Sequence, residues 1–321
     1  MPPERIGWSP GPLTLARRAA HRWRYTARSR PRRLCLLEHP QRGTRFAAAT
    51  AFWINQRSRT WSAVRNGRAA DADLVWVLSQ DPLGPAARAW LRARIPPGVP
   101  VLNPPEVHDA YHAADAFPRL AAAGVRVPRT TFDASDVGRT PVLHKPVGVQ
   151  GRTEWTVYRG PRPGHRTFAV EDGRGPDGRY RRYRAFVLGD LVLPEDVIVA
   201  DVPEARARTL VAVERSFTLT AHECAQLLLL TRTLGLQFCG VDFLRRRTDG
   251  LPVFLDVNAY PTVVGAWSGD MPPGDRGQWH VFDNAARLGL PEPGGRPVWE
   301  QVDDALLALA AAPTREAVRA A

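Results

Sequence analysis

The stretch CGVDFLRRRTDGLPVFLDVNAYP, Cys239 to Pro261, decides the fold. Two apolar runs, CGVDFL and LPVFLDVN, flank a turn signal at Thr248, Asp249 and Gly250, which is the pattern of an antiparallel hairpin with Gly250 left-handed. A three-residue loop there sets Asp242 opposite Asp256. Asn258, two residues further on, shares their face because side chains alternate along a strand. Two opposed carboxylates among apolar neighbours repel each other, and a cation between them reverses the sign. Hard oxygen donors of this kind, few in number, suit magnesium that also coordinates phosphate oxygens.

Upstream lies VLHKPVGVQGRTEW, Val142 to Trp155, in which a strand runs into a short link carrying Gly148 and Gly151 and then into a second strand. Glycines at such a link let backbone amides approach phosphate oxygens closely. The strand holds Lys145, the only lysine among the 44 lysines and arginines of the chain. In a sequence so biased to arginine, an ammonium that is kept marks a place needing a compact point charge rather than a guanidinium fork. His144 alternates to the opposite face of that strand and reads as structural.

The rest of the chain supplies a frame for these two segments. RRLCLLEH and ADLVWVLS are short apolar strands, separated by a segment from Thr44 to Arg65 with helical character, and they suggest a small α/β unit with a parallel sheet over residues 34 to 103. An Ala-rich helix in HAADAFPRLAAAGVRVPRT, closed by Gly124, leads into residues 104 to 321. From 131 to 193, PVLHKP, TEWTVYR, RTFAVED and YRAFVLGDLVL read as strands of one mostly antiparallel lobe, with 194 to 321 forming the lobe that carries the acidic hairpin. TAHECAQLLLLTRTLG reads as a helix capped by Thr220 or Thr218 and stopped by Gly235, and VWEQVDDALLALAAA as a last helix.

Composition bounds the function from outside. With 321 residues and 44% apolar content the chain can bury real cores, and no run approaches the roughly eighteen apolar residues of a membrane span. The expected location is the cytoplasm. Cys35, Cys224 and Cys239 are too scattered for a disulfide framework or a zinc site. The formal charge of +12 is unevenly spread: residues 1 to 46 carry eleven arginines against Glu4 and Glu38, and residues 1 to 33 form a Pro- and Arg-rich arm without sustained periodicity. A solvated arm is the favoured reading, docking on an acidic partner comes second and nucleic-acid binding a distant third. Homodimerisation stays open.

Taken together, LAAAGVRVPRT, VLHKPVGVQGR, YRAFVLGDLVL and GVDFL followed by FLDVNAYP resemble the ATP-grasp superfamily, which includes D-alanine:D-alanine ligase, glutathione synthetase, ribosomal-protein glutamate ligases and the inositol trisphosphate kinase branch. The resemblance spans roughly Leu102 to Gly265 and implies an α/β (α+β) ATP-grasp fold preceded by the small α/β domain. It implies that Lys145 contacts ATP phosphates, that Asp242, Asp256 and Asn258 hold Mg2+, that Glu171 in FAVED touches adenine or ribose, and that Arg184 serves a phosphate or a reacting substrate group. The implied activity is ADP-forming ligation of a carboxylate to an amine on a small-molecule or peptide substrate. Two departures stand out: YHAADAF offers His112 or nothing where most members carry an early lysine, and Asp256 stands where ligases usually carry Glu. Phosphotransfer to an alcohol and a non-catalytic nucleotide-binding scaffold are the alternatives.

Overall fold

The computed structural model describes residues 31–41, 47, 50–51, 54–55, 57–79, 81–148, 154–203, 210–214, 217–260 and 296–312 except for isolated side chains. The basic arm up to residue 30 and Gly151 lie outside the described residues, while Arg32 and Arg33 already belong to the first strand.

Four parallel strands form the first sheet: β1 (Arg32–Leu37), β2 (Trp61–Arg65), β3 (Leu74–Val77) and β4 (Val101–Leu102), in the order β2-β1-β3-β4. Leu34 and Leu36 point to one core while Cys35 and Leu37 point to another, so β1 is buried on both faces, as a parallel strand covered on both sides requires. Strand β2 occupies the end of the segment whose sequence suggests a helix. The described residues from 47 to 57 are helical as expected, but Trp61 to Arg65 pairs with Arg32 to Leu36 as a strand, and the alternation of buried Trp61 and Ala63 with more exposed neighbours is its local mark. Helix α1 (Gly84–Arg92) packs beneath through Ala87 and Leu91.

Helix α2 (Ala116–Ala122) takes Pro118 in its first turn, where the missing N–H costs nothing. A three-stranded antiparallel sheet follows, of β5 (Pro141–Pro146), β6 (Glu154–Val157) and β7 (His165–Ala169), ordered β6-β5-β7. The lobe expected over 131 to 193 is divided here. Strands β8 (Tyr180–Leu188) and β9 (Leu191–Ala200) leave it and join β10 (Leu210–Glu214), β11 (Phe238–Arg245) and β12 (Pro252–Asn258) in a five-stranded antiparallel sheet, β10-β9-β8-β11-β12. The reason is apolar burial: Ala185 and Val187 alternate into the same core as Val241 and Phe243, which β5 and β7 reach only with Leu143 and Phe168.

Helix α3 (Ala221–Leu234) covers that core face. Thr220 and Glu223 cap its start reciprocally and Gly235, at φ 75°, ends it. On the opposite face Phe186, Leu188, Leu193 and Phe238 pack with the first sheet and with α4 (Val298–Ala311). Asn103 fastens the two sheets, accepting from the amides of Gln237 and Phe238 at 2.9 and 3.0 Å and donating to the Phe238 carbonyl at 2.6 Å. The charged residues of interest continue this same face of the five-stranded sheet, beyond its apolar end.

Candidate active site

A row of charge crosses four strands. Arg184 on β8 is the register partner of Asp242 on β11, and Asp242 is the partner of Asp256 on β12, as the hairpin reading expects. The route to that register differs from the expected one. The loop closes between Arg246 and Leu251 rather than around three residues, and an extra residue, Leu255, sits as a bulge between the Phe243–Phe254 and Asp242–Asp256 pairs. A one-residue slip turns side chains to the other face. The bulge therefore lets Phe254 enter the core while Asp256 faces the site.

A second bulge shapes the other end of the row. Between the Tyr183–Val197 and Ala185–Pro194 pairs, β8 supplies one residue, Arg184, and β9 supplies two, Glu195 and Asp196. Both β9 acids are buried, and Glu195 Oε2 lies 3.9 Å from Arg184 Nε.

The expected repulsion between Asp242 and Asp256 is already offset within the chain. Arg184 donates to Asp242 from Nε at 2.5 Å and from Nη2 at 2.9 Å, and Arg182 Nη1 stands 3.5 Å away. Burial alone would raise the Asp242 carboxyl, but these guanidinium groups hold it below the usual range. Lys145 crosses from the three-stranded sheet and donates its Nζ to Asp256 Oδ1. Burial would lower Lys145, and the Asp256 charge more than cancels that, so the ammonium stays charged well above neutrality. Asp256 is depressed in turn by Lys145 against its own burial. The resulting pattern is cation, anion, anion, cation, running Arg184, Asp242, Asp256, Lys145.

Tyr111, which sequence reasoning passed over, holds this end together. Its ring lies 4.7 Å from Lys145 Nζ, and its hydroxyl donates to the carbonyl of the bulged Leu255 at 2.6 Å. Arg166 donates to the carbonyls of Tyr111 and Ala113 at 2.9 and 2.6 Å and so fixes that segment. No periodic or motif signal marks Tyr111. Beside it, Nε2 of His112 bonds Asp81 Oδ2 at 2.8 Å, so His112 is anchored to the first sheet's exit loop. His144 bonds Thr167 Oγ1 at 2.8 Å on its own sheet and is structural, as its face implied.

The donor set fits a hard cation with phosphate. Asp256 Oδ2 and the Asn258 side chain accept no hydrogen bond from the described residues, and Asp256 keeps about a third of its side-chain surface exposed (31%). Asp242, with both oxygens on Arg184, is engaged. Among the described residues no group of three or more His, Cys, Asp or Glu gathers. Glu171 lines a narrow cleft between the two antiparallel sheets, with Leu143, Ala169, Tyr180, Leu244 and Leu255 as largely apolar walls. Gly148, exposed with φ 71°, follows Lys145 at the mouth of the strand. All three cysteines are free, and no helix of the described residues is long and apolar enough to cross a membrane.

No family model and no curated protein matches the sequence. Solved structures do match the fold. The ATP-grasp ligase PsnB complexed with precursor peptide PsnA2 and AMPPNP is similar at a TM-score of 0.53 and 16% identity over 86% of this chain and 98% of that one. The same ligase with minimal precursor, Mg and ADP gives 0.52 and 15% over 86% and 97%. The macrocyclase MdnC bound with precursor peptide MdnA from Microcystis aeruginosa MRC gives 0.50 and 13% over 79% and 98%. The chain has the ATP-grasp fold. Identity this low carries the fold and leaves the chemistry to the site.

Proposed function

We propose that this chain is an ATP- and magnesium-dependent ligase that activates a carboxylate as an acyl phosphate and joins it to an amine, releasing ADP. The single observation that carries the reading is the charge row: two carboxylates in register on β11 and β12, met from two different sheets by Arg184 and Lys145. Two cations and two anions that neutralise each other within one crevice are matched to a ligand that is itself divided into anionic phosphates and a cation. The ATP-grasp ligase and macrocyclase structures, whose bound molecules include AMPPNP, ADP, Mg and precursor peptides, support the same reading and favour a peptide among the substrate classes.

In this reading the cleft beside Glu171 takes the adenosine moiety and the phosphates extend toward Gly148 and Lys145. Lys145 leaves Asp256 and turns its ammonium to phosphate oxygens, a charge-assisted contact of about 1.5 to 3 kcal/mol. Asp256, Asn258 and Asp242 are the residues that would hold magnesium. When bound, magnesium supplies neutralisation of charge on the transferring phosphoryl group. Arg184, released from part of its hold on Asp242, stabilises the oxyanion that develops as the amine adds to the acyl carbon. The three-stranded sheet, closing over the cleft, keeps water from the acyl phosphate.

The test is product release. Purified full chain with MgATP should liberate ADP only when a carboxylate and an amine are both supplied from pools of peptides and small molecules. ADP release with an alcohol alone would replace ligation with phosphotransfer. No binding of MgAMPPNP by calorimetry would remove the nucleotide reading itself.

A further inference from the structure

Two arginines stand on one face of β8 and are held differently. Arg184 directs Nε and Nη2 to Asp242 at 2.5 and 2.9 Å. Arg182, two residues earlier and so on the same face, stops short of that carboxylate: its Nη1 is 3.5 Å from Asp242 Oδ2, beyond the roughly 2.7 to 2.9 Å of a charge-assisted bond. Its Nε is buried and has no hydrogen-bond partner among the described residues. A buried donor left unmade costs free energy, so a guanidinium kept in that state beside a cleft points to an acceptor that arrives with a ligand.

The surroundings say where that acceptor lies and what it is. Arg182 lines the cleft that holds Glu171, together with Leu143, Tyr180 and Leu244. Arg181 lines it as well, but its guanidinium is bound to Asp177 and Glu214. From the cleft toward the charge row, Tyr180, Arg182 and Arg184 follow at alternate positions of β8, so Arg182 is the first of the two face-sharing arginines that an anion leaving the cleft meets. Lys145 reaches the same place from the three-stranded sheet, since Arg182 and Lys145 both lower the Asp242 carboxyl. An oxyanion at this end of the cleft thus has a guanidinium fork on one side and an ammonium on the other. A phosphate group, which offers two oxygens side by side, matches the fork.

Resting on the nucleotide reading above, we infer that Arg182 is a nucleotide-binding residue that takes the phosphate nearest the nucleoside, opposite Lys145, and so selects a phosphorylated nucleoside over the bare one.

Adenosine and AMP, titrated into the full chain by calorimetry at constant magnesium chloride and ionic strength, test this. Wild type should bind AMP more tightly than adenosine. Arg182→Gln should weaken AMP about tenfold or more, the size of a lost charge-assisted contact, and leave adenosine within about twofold. If that variant does not melt cooperatively, Arg182→Lys, which keeps the positive charge toward Asp242 but not the fork, must weaken AMP while sparing adenosine. Unchanged AMP binding in the variant would overturn the proposal, and so would an equal weakening of both ligands, which is what an arginine with a structural role alone gives. Sodium acetate, followed by thermal melting in parallel, covers a carboxylate as the anion: an acetate response that the variant loses while its AMP binding stays intact would assign the fork to the acid substrate and overturn the proposal. MgAMPPNP binding separates this inference from the reading it rests on. Where wild type binds MgAMPPNP and the variant keeps its AMP affinity, only the role of Arg182 falls; where wild type binds neither MgAMPPNP nor AMP, both fall.

Discussion

Replacing Asp256 by asparagine tests the charge row directly, because sequence and structure give opposite signs. From the hairpin alone, two opposed carboxylates should repel, and neutralising one should stabilise the ligand-free chain or leave it unchanged. In the structure Asp242 is held by two guanidinium groups, and Asp256 is the partner of Lys145, whose side chain is only 16% exposed. Asp256→Asn therefore leaves a desolvated ammonium with a neutral acceptor. A charge-assisted bond contributes about 1.5 to 3 kcal/mol, and the partial exposure of Asp256 together with the relief of residual Asp242 repulsion reduces the expected loss to about 1 to 2 kcal/mol. At about 2 to 3 °C per kcal/mol for a chain of this size, the melting temperature should fall by about 2 to 6 °C.

The pH dependence follows from the same pair. The folded Asp256 carboxyl is depressed, so its stabilising share is fully present above the unfolded carboxyl value of about 3.9 and is lost as pH falls through the lower folded value. The gap between wild type and Asp256→Asn should be full at pH 6 to 8 and should close in acid. Melts across that range, with and without MgAMPPNP, are the assay. Wild type should gain stability with the ligand by mass action and the variant much less. A ligand-free variant as stable as wild type at pH 7 would refute the pairing, and equal ligand-induced shifts would refute the assignment of Asp256 to magnesium.

Lys145→Arg should weaken MgAMPPNP binding at least tenfold by calorimetry, because the ammonium sits between Asp256 and the Tyr111 ring, where a broad fork has no room to turn. Tyr111→Phe should cost about 1 to 2 kcal/mol, read as a lower midpoint in denaturant, since the bulged Leu255 carbonyl loses its donor. Thr220→Ala should cost about 1 kcal/mol by the same measurement, through loss of the reciprocal cap on α3. Glu195→Gln should raise the melting temperature at pH 8. Burial and the neighbouring Asp196 raise the folded Glu195 carboxyl, so its ionised form costs stability at high pH, wild type recovers as pH falls and the difference should vanish near the unfolded value of about 4.3.

Much of this was legible from residues. Thr220 and Gly235 mark the two ends of α3 because caps are local chemistry, and Asp242, Asp256 and Asn258 share a face because alternation is local too. The lone lysine of the chain is marked by composition and does stand against the acidic hairpin, where its partner is the Asp256 carboxylate. What escaped is non-local. Nothing adjacent in sequence says that β8 and β9 pair with β11 rather than with β5, since both alternatives present antiparallel strands of suitable length. Tyr111 and Arg182 gain their roles only from residues 144 and 60 positions away.

The two bulges show most clearly why pattern alone stops short. Reading strict alternation back from Asp256 would put Phe254 on the site face and Leu255 in the core; the extra residue on β12 exchanges them, and the aromatic packs with Phe243 while the Leu255 carbonyl turns to Tyr111. Strict alternation on β9 would likewise send Glu195 and Asp196 to opposite faces. The extra residue there sets both against Arg184, at the cost of leaving the Glu195 carboxyl without a hydrogen bond. Each bulge lies on the strand flanking one of the two central strands, β8 and β11, and each displaces its strand at the level of the charge row. A regular sheet would carry one charged side chain per strand along that row. With both irregularities in place it carries five acids and bases, Glu195, Asp196, Arg184, Asp242 and Asp256, which a chain folding for stability alone has no reason to gather. The arrangement is a departure from local rules of the kind expected where a site, rather than a core, is being built.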